Sequence, residues 1–95
     1  MDALLDFSEQ VVLITGASRG IGRAIAESFV ALGATVLGTA TSESGAAAIS
    51  EYLADAGKGF VLNVTETDSI STLFDEIKAQ YGAVDVLVNN AGITR

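Results

Sequence analysis

The chain contains no cysteine and no histidine among its 95 residues. Without cysteine there is no disulfide framework and no thiolate nucleophile, and without histidine the usual zinc site and the commonest general base are both missing. Basic residues are also scarce. The chain has 5 Lys and Arg but 12 Asp and Glu, which gives a net charge of −7. That charge disfavours nucleic acid and anionic membranes as partners, so any anion must be bound locally. We expect no metal site.

Long hydrophobic runs are absent as well. The apolar stretches are only a few residues long, and the start of the chain, MDALLD, is acidic where a secretory signal would be basic. We therefore expect no transmembrane helix and a cytoplasmic protein. What is present is the composition of an ordinary globular chain, with 49% apolar and 18% charged residues. A chain of this length forms one domain at most.

Apolar periodicity predicts strands that alternate with single helices. Residues 11–15 form a nearly continuous apolar run, which is typical of a strand buried on both faces. Further strands are predicted over 34–40, 59–64 and 84–89. Two helices are predicted over 42–56 and 67–81. Before them, a first helix and its stop signal are marked by Ile21, Ile25, Phe29, Leu32 and Gly33. The stripe of the last helix consists of Ile70, Leu73, Phe74, Ile77 and Tyr81. We expect these stripes in the core.

The resulting order, βαβαβαβ, predicts an α/β fold with a parallel sheet and right-handed crossovers. We take this sheet to be doubly wound and Rossmann-type, with the strand order 3-2-1-4. The fourth strand would then be an apolar edge, and the third helix alone would cover one face of the sheet. Exposed apolar edges favour association. We therefore expect the 95 residues to self-associate or to need further polypeptide, and not to form a stable monomer.

A glycine-rich turn joins the first strand to the first helix. Residues 15–22 read TGASRGIG, with the glycines spaced G-x-x-x-G-x-G. Glycines let the backbone turn sharply and approach a pyrophosphate, while N–H groups and the positive end of the helix dipole face the anion. The alternative is a loop that only turns the chain. Its position between a buried strand and an amphipathic helix favours nucleotide binding.

With these motifs, the chain resembles the amino-terminal part of the short-chain dehydrogenase/reductase family. TGASRGIG matches that family's TGxxxGxG turn, and residues 89–92, NNAG, match its motif at the end of the fourth strand. Within the family, residues 16–26, 38–43 and 89–95 are most similar to bacterial 3-oxoacyl-[acyl-carrier-protein] reductases. The resemblance implies that residues 1–95 are an incomplete NADP-binding domain whose catalytic half is absent. It also implies a homotetrameric parent that uses NADPH to reduce acyl-carrier-protein thioesters in fatty acid synthesis.

The resemblance assigns cofactor contacts to particular residues. The phosphate turn and the NNAG motif contribute Gly16, Ala17, Ser18, Arg19, Gly20, Ile21, Gly22, Asn90, Ala91 and Gly92. Thr41 matches a contact to the 2′-phosphate of NADP, and Asn63 and Val64, taken as the end of the third strand, match residues that flank the adenine. Asn90 matches the residue beside the nicotinamide ribose. The alternative for Asn63, Asn89 and Asn90 is a hydrogen bond to neighbouring backbone at a strand end.

Charge at the end of the second strand favours NADP over NAD. An NAD site of this fold usually has an acid there, about 20 residues past the glycines, to bind the ribose hydroxyls. The strand ends in Gly38-Thr39-Ala40-Thr41 with no acid, and Arg19 supplies a cation suited to phosphate. Glu43 fits the NAD spacing by count alone but falls in the opening of the next helix. The alternative for Arg19 is a solvated loop cation, and for Arg23 that interpretation is the favoured one.

Hydride transfer in the resembled family uses residues that have no match here. Neither Tyr52 nor Tyr81 is followed by lysine at the fourth position, and both fall in predicted helices, so we interpret them as packing residues. We expect the 95 residues to be the cofactor-binding portion of a reductase and to be inactive by themselves. Two alternatives remain open: a stand-alone nucleotide-binding or interaction module, and a reductase of another carbonyl substrate.

Overall fold

The computed structural model describes residues 9–18, 20–62 and 67–90. Within them, strands and helices alternate in the order β1 (Val11–Ile14), α1 (Gly20–Ala31), β2 (Thr35–Ala40), α2 (Glu43–Leu53), β3 (Gly57–Val61), α3 (Thr67–Tyr81) and β4 (Val86–Val88). The strands form one four-stranded sheet in the order β3-β2-β1-β4, and every pairing is parallel. The predicted α/β fold and strand order are confirmed.

The sheet separates two apolar cores. Successive strand residues point to opposite faces, so neighbouring positions of β1 serve different cores. The core beneath α1 and α2 contains Val12, Ile14, Val36, Ala26, Ile49 and Leu53. The core beneath α3 contains Leu13, Leu37, Phe60, Leu73 and Ile77. All four residues of β1 are buried, which confirms the prediction of a strand covered on both faces.

The third strand differs from the predicted range of 59–64, because it begins at Gly57 and ends at Val61. Gly57 lies opposite Val36 in the ladder, and a Cβ atom on it would stand only 1.6 Å from the Val36 carbonyl oxygen. A glycine that pairs this closely starts the strand two residues before the predicted start at 59. The described strand ends at Val61, and Asn63 and Val64, which were predicted to end it, lie outside the described residues.

The fourth strand is shorter than the predicted 84–89. Asp85 donates its backbone N–H to the Val11 carbonyl at 2.9 Å, while its carboxylate accepts from the Val11 N–H at 2.8 Å. The side chain thus replaces a backbone acceptor, and the regular ladder begins one residue later. Among the described residues β4 pairs with β1 alone, and Leu87 at its centre is 54% exposed. The predicted apolar edge is confirmed.

Helix α2 is also shorter than predicted, since it ends at Leu53 and a 3₁₀ turn, Ala54–Ala56, leads into β3. Two stripe residues that were predicted to be core are exposed, Ile21 by 73% and Phe74 by 38%. Ile21 lies in the first turn of α1, at the carboxyl edge of the sheet. Phe74 follows Leu73 in the sequence but is not among the described residues that pack against the core beneath α3. No helix in the described part of the chain is both long and apolar enough to cross a bilayer.

Candidate cofactor-binding site

The candidate site lies at the carboxyl edge of the sheet, where the glycine turn leaves β1 and enters α1. Two glycines of the turn adopt left-handed backbone conformations, with φ of 67° at Gly16 and 66° at Gly20. Side chains with a Cβ atom adopt such values at a cost, so the glycines let the chain reverse within a few residues. Nothing described lies within 4 Å of a Cβ atom built on Gly20, so this part of the turn faces open space.

The last glycine of the motif serves a different purpose, which is close packing. A Cβ atom on Gly22 would stand 2.1 Å from the Gly16 carbonyl oxygen and 2.8 Å from the Asn90 amide nitrogen. Both distances are far inside van der Waals contact, so any side chain at this position would push α1 away from the turn. Gly22 therefore brings the positive end of the helix against the end of β1.

Strand β2 holds one side of the turn through Thr39, which is buried. The Gly16 N–H donates to the Thr39 hydroxyl at 3.3 Å, and the Ala17 N–H donates to the Thr39 carbonyl at 2.9 Å. These two amides are thus bonded within the fold. Gly16 and Ala17 shape the turn, and the N–H groups directed at an anion must come from the residues that follow.

Strand β4 holds the other side through its two terminal asparagines. The Asn90 side-chain amide donates to the Gly16 carbonyl at 3.1 Å, and the Asn89 side-chain oxygen accepts from the Thr15 hydroxyl at 3.1 Å. The partners are 74 positions away in sequence. Asn90 bonds to backbone, as the alternative interpretation predicts, but to the backbone of the glycine turn, whereas this bond of Asn89 is to a side chain. The NNAG segment and the glycine turn are parts of one structure.

The first turn of α1 presents the N–H groups that suit an anion. The first four N–H groups of an α-helix have no carbonyl one turn earlier, and they carry the positive end of the helix dipole. In α1 they begin at Gly20 and Ile21, and the first turn contains no acidic residue. A phosphate placed there would be bound by backbone alone, consistent with the scarcity of basic residues.

A cavity of about 320 Å³ adjoins the turn at the end of β2. Its lining is Ser18, Ala40, Thr41, Ser42, Ser44 and Gly45. Most of these residues carry a hydroxyl group and none carries a carboxylate. Ser42 also caps α2, because its hydroxyl accepts from the Gly45 N–H at 3.1 Å. Glu43, the acid that matches an NAD site by count, lines a different cavity together with Lys58 and Glu76.

Tyr52 is a residue of the site that sequence reasoning missed. Its hydroxyl donates to the Ala17 carbonyl at 2.5 Å, so the interpretation of Tyr52 as a packing residue is incomplete. The Arg23 guanidinium lies 4.5 Å from the centre of the tyrosine ring and pairs with Glu27 at 3.0 Å. Arg23 is therefore a helix residue and not a loop residue, and its side chain remains 49% exposed while it stacks on an aromatic ring. The spacing of Arg23 and Glu27 could have been read from the sequence, but the contact between the helices could not.

The pKa of Tyr52 is raised, mainly because burial disfavours the phenolate. The positive charge of Arg23 opposes that shift, and Glu27 adds to it. The hydroxyl therefore remains protonated, and remains a donor to Ala17, at neutral pH. No group of three or more potential metal ligands occurs in the described residues.

The described residues bring most of the expected site together at one edge of the sheet. Hydrogen bonds and close packing connect Gly16, Ala17, Gly22 and Asn90, directly or through shared partners. One cavity is lined by both Ser18 and Thr41. Five expected residues lie outside the described ones: Arg19, Asn63, Val64, Ala91 and Gly92. Their assignments stay predictions.

Comparison with known proteins agrees with this arrangement. The family model for short chain dehydrogenases matches residues 10–95. A protein of Escherichia coli K12 named 3-oxoacyl-[acyl-carrier-protein] reductase FabG is 60% identical over 91 residues, which are 96% of this chain and 37% of that protein. Proteins of the same name from Vibrio harveyi and Haemophilus influenzae are 62% and 63% identical over 91 and 86 residues, covering 96% and 90% of this chain.

The chain thus spans 37% of the length of the first two of these relatives and 36% of the third. The match includes both the glycine turn and the asparagines that bind it, and it extends over every described strand and helix. The chain belongs to the short-chain dehydrogenase family.

Proposed function

We propose that the whole protein is an NADPH-dependent reductase of 3-oxoacyl thioesters carried by acyl carrier protein. The reaction would convert the ketone to a 3-hydroxyacyl thioester in fatty acid synthesis, in the cytoplasm and in a homotetramer. The high identity to relatives named for this reaction supports the proposal. This chain would supply the cofactor-binding part, and the 95 residues alone would lack reductase activity.

The observation that carries the cofactor assignment is the cavity at the end of β2. Its hydroxyl groups can donate to a phosphate, and it has no carboxylate to repel one. The 2′-phosphate of NADP would therefore lie against Thr41 and Ser18, with the Arg19 guanidinium as its counterion. An NAD site needs the opposite, an acid that accepts from both ribose hydroxyls.

The remaining assignments follow from the same edge of the sheet. The pyrophosphate would lie at the first turn of α1, bound by backbone N–H groups from Ser18 to Gly22. Exposed Ile21 would cover it from water. Adenine would lie between Asn63 and Val64, and the nicotinamide ribose beside Asn90, Ala91 and Gly92. The bound cofactor supplies the hydride, and the residues of this chain fix where it is held.

Replacing Arg19 by Ala in the intact protein tests the cofactor assignment. Loss of a charged contact to the 2′-phosphate should weaken NADPH binding by about 1.5–3 kcal/mol and leave NADH binding unchanged, because NADH has no such phosphate. Both affinities can be measured from the fluorescence of the reduced nicotinamide.

The matched control is Lys78→Ala, which removes the same charge from the last turn of α3. It should change neither affinity beyond a small general effect of net charge. Equal losses for NADPH and NADH in Arg19→Ala would contradict the assignment. Reductase activity on a 3-oxoacyl thioester of acyl carrier protein tests the substrate, and an intact protein that binds NADPH but leaves this thioester unreduced would contradict that part.

A further inference from the structure

A tyrosine of α2 reaches across to the glycine turn from the layer of helices. Tyr52 lies one residue before the end of α2, is partly buried, and packs against the core beneath α1 and α2. Its hydroxyl donates to the Ala17 carbonyl at 2.5 Å, 35 positions away in sequence. This short contact links α2 to the backbone of the turn.

The bond to the Ala17 carbonyl also determines the direction of the N–H group that follows it. A peptide unit is planar and trans, so its C=O and the following N–H point in opposite directions. When Tyr52 holds the Ala17 carbonyl, the Ser18 N–H must point away from Tyr52. Ser18 precedes the first residue of α1, Gly20, by two positions, so its N–H adjoins the helix end where the pyrophosphate would lie.

In the preceding peptide unit, which joins Gly16 to Ala17, both the carbonyl and the N–H are hydrogen-bonded. The Gly16 carbonyl accepts from the Asn90 side chain on the β4 side, and the Ala17 N–H donates to Thr39 on the β2 side. Two consecutive peptide units of the turn are thus oriented by groups on three different elements. The second of these units joins Ala17 to Ser18, and the Tyr52 hydroxyl orients it.

Arg23 and Glu27 hold the tyrosine ring in place. The Arg23 guanidinium lies over the ring at 4.5 Å from its centre, and its Nε bonds to the Glu27 carboxylate at 3.0 Å. A cation over an aromatic face is attractive, and the ion pair restricts the arginine to that geometry. These contacts link the ring of Tyr52 on α2 to the side chain of Arg23 on α1.

We propose that Tyr52 is a positioning residue for the cofactor, because its hydroxyl holds the Ala17 carbonyl and thereby directs the Ser18 N–H at the pyrophosphate. The inference rests on the proposed binding of a nicotinamide dinucleotide. Tyr52 touches no part of the cofactor itself and acts only through the backbone of the turn.

The test is Tyr52→Phe in the intact protein, a change that removes one oxygen atom and keeps the ring under Arg23. The dissociation constants for NADPH and NADH should rise by the same factor, about five- to tenfold, because both cofactors contain the pyrophosphate. The affinity for adenosine 2′-monophosphate should fall by a smaller factor, because this probe has no pyrophosphate. Tyr81→Phe, the same chemical change at the end of α3, is the matched control and should alter none of the three.

Equal affinities of wild type and Tyr52→Phe for both dinucleotides would overturn the inference and leave the proposed function standing. A loss that extends equally to adenosine 2′-monophosphate, or a variant that fails to fold, would show a general structural role and would also overturn it. A wild-type protein that binds neither dinucleotide would overturn the proposed function itself, and the inference with it.

Discussion

Gly22 is the residue of the turn that tolerates least change. In an ordinary helix, Gly→Ala stabilises by up to about 1 kcal/mol, because alanine loses less backbone entropy. Here the added methyl group would meet the Gly16 carbonyl oxygen at 2.1 Å and the Asn90 side chain at 2.8 Å. The clash with backbone must be relieved by moving α1, which would separate the helix from the turn.

We therefore predict that Gly22→Ala lowers the free energy of unfolding by roughly 3 kcal/mol. Gly20→Ala is the matched comparison, since its φ of 66° costs strain but open space surrounds the added methyl group. It should lower the same free energy by roughly 1 kcal/mol. Urea unfolding of the two variants measures the difference, and equal losses would contradict the packing role of Gly22.

The sequence predicts the residues of the turn well but not their partners. The spacing of Gly16, Gly20 and Gly22 identifies the motif, because it depends on local backbone geometry. The bond of Tyr52 to Ala17 depends on how α1 and α2 pack against the sheet, and no local pattern encodes it. The same holds for the bond of Asn90 to Gly16, which becomes visible only when β4 lies beside β1.

At the scale of elements, α2 begins at a well-formed cap. Ser42 has extended backbone angles, φ −132° and ψ 160°, and its hydroxyl accepts from the Gly45 N–H. This bond satisfies one of the N–H groups left without a helical partner. The cap also fixes the loop whose hydroxyl groups line the cavity at the end of β2.

We predict that Ser42→Ala destabilises the protein by about 1 kcal/mol through loss of this cap. Ser28→Ala is the matched control, because the Ser28 hydroxyl bonds back to the Ala24 carbonyl within exposed helix. That substitution should be neutral or slightly stabilising, since alanine is the better helix former. Thermal melting compares the two, and a Ser42→Ala variant as stable as Ser28→Ala would show that the cap contributes nothing.

The order of the elements could be predicted from the sequence, while several of their ends could not. Alternation of apolar strands and amphipathic helices predicts the parallel sheet, and the strand order follows from assuming a Rossmann-type fold. The bounds of β3 and β4 depend on tertiary pairing, on the close approach of Gly57 to Val36 and on the carboxylate of Asp85. Ile21 fits a helical stripe but lies beyond the sheet edge, so periodicity alone assigns it wrongly to the core.

At the scale of the whole molecule, the described sheet presents an apolar edge at β4. Leu87 is 54% exposed at the centre of this strand. Unpaired strand edges with apolar side chains favour pairing between molecules, and the net charge of −7 opposes it. We expect pairing at the strand edge to outweigh charge repulsion between molecules at moderate salt, because salt screens surface charge.

The 95 residues are therefore predicted to self-associate, and Leu87→Lys to weaken that association about tenfold. Ile21→Lys is the control, since Ile21 is more exposed but lies on a helix and not on the strand edge. It should leave association nearly unchanged. Sedimentation velocity over a range of concentrations measures both, and a compact, cooperatively melting monomer of the wild-type chain would contradict the prediction.

The central claim is that this edge of the sheet binds NADP(H). The most direct test is the equilibrium affinity of the intact wild-type protein for NADPH and for NADH under identical conditions. We predict that NADPH binds at least about tenfold more tightly than NADH, because the cavity at Thr41 and the Arg19 cation suit the 2′-phosphate. A tenfold ratio corresponds to the free energy of one charged hydrogen bond. Equal affinity for the two cofactors, or tighter binding of NADH, would contradict the account.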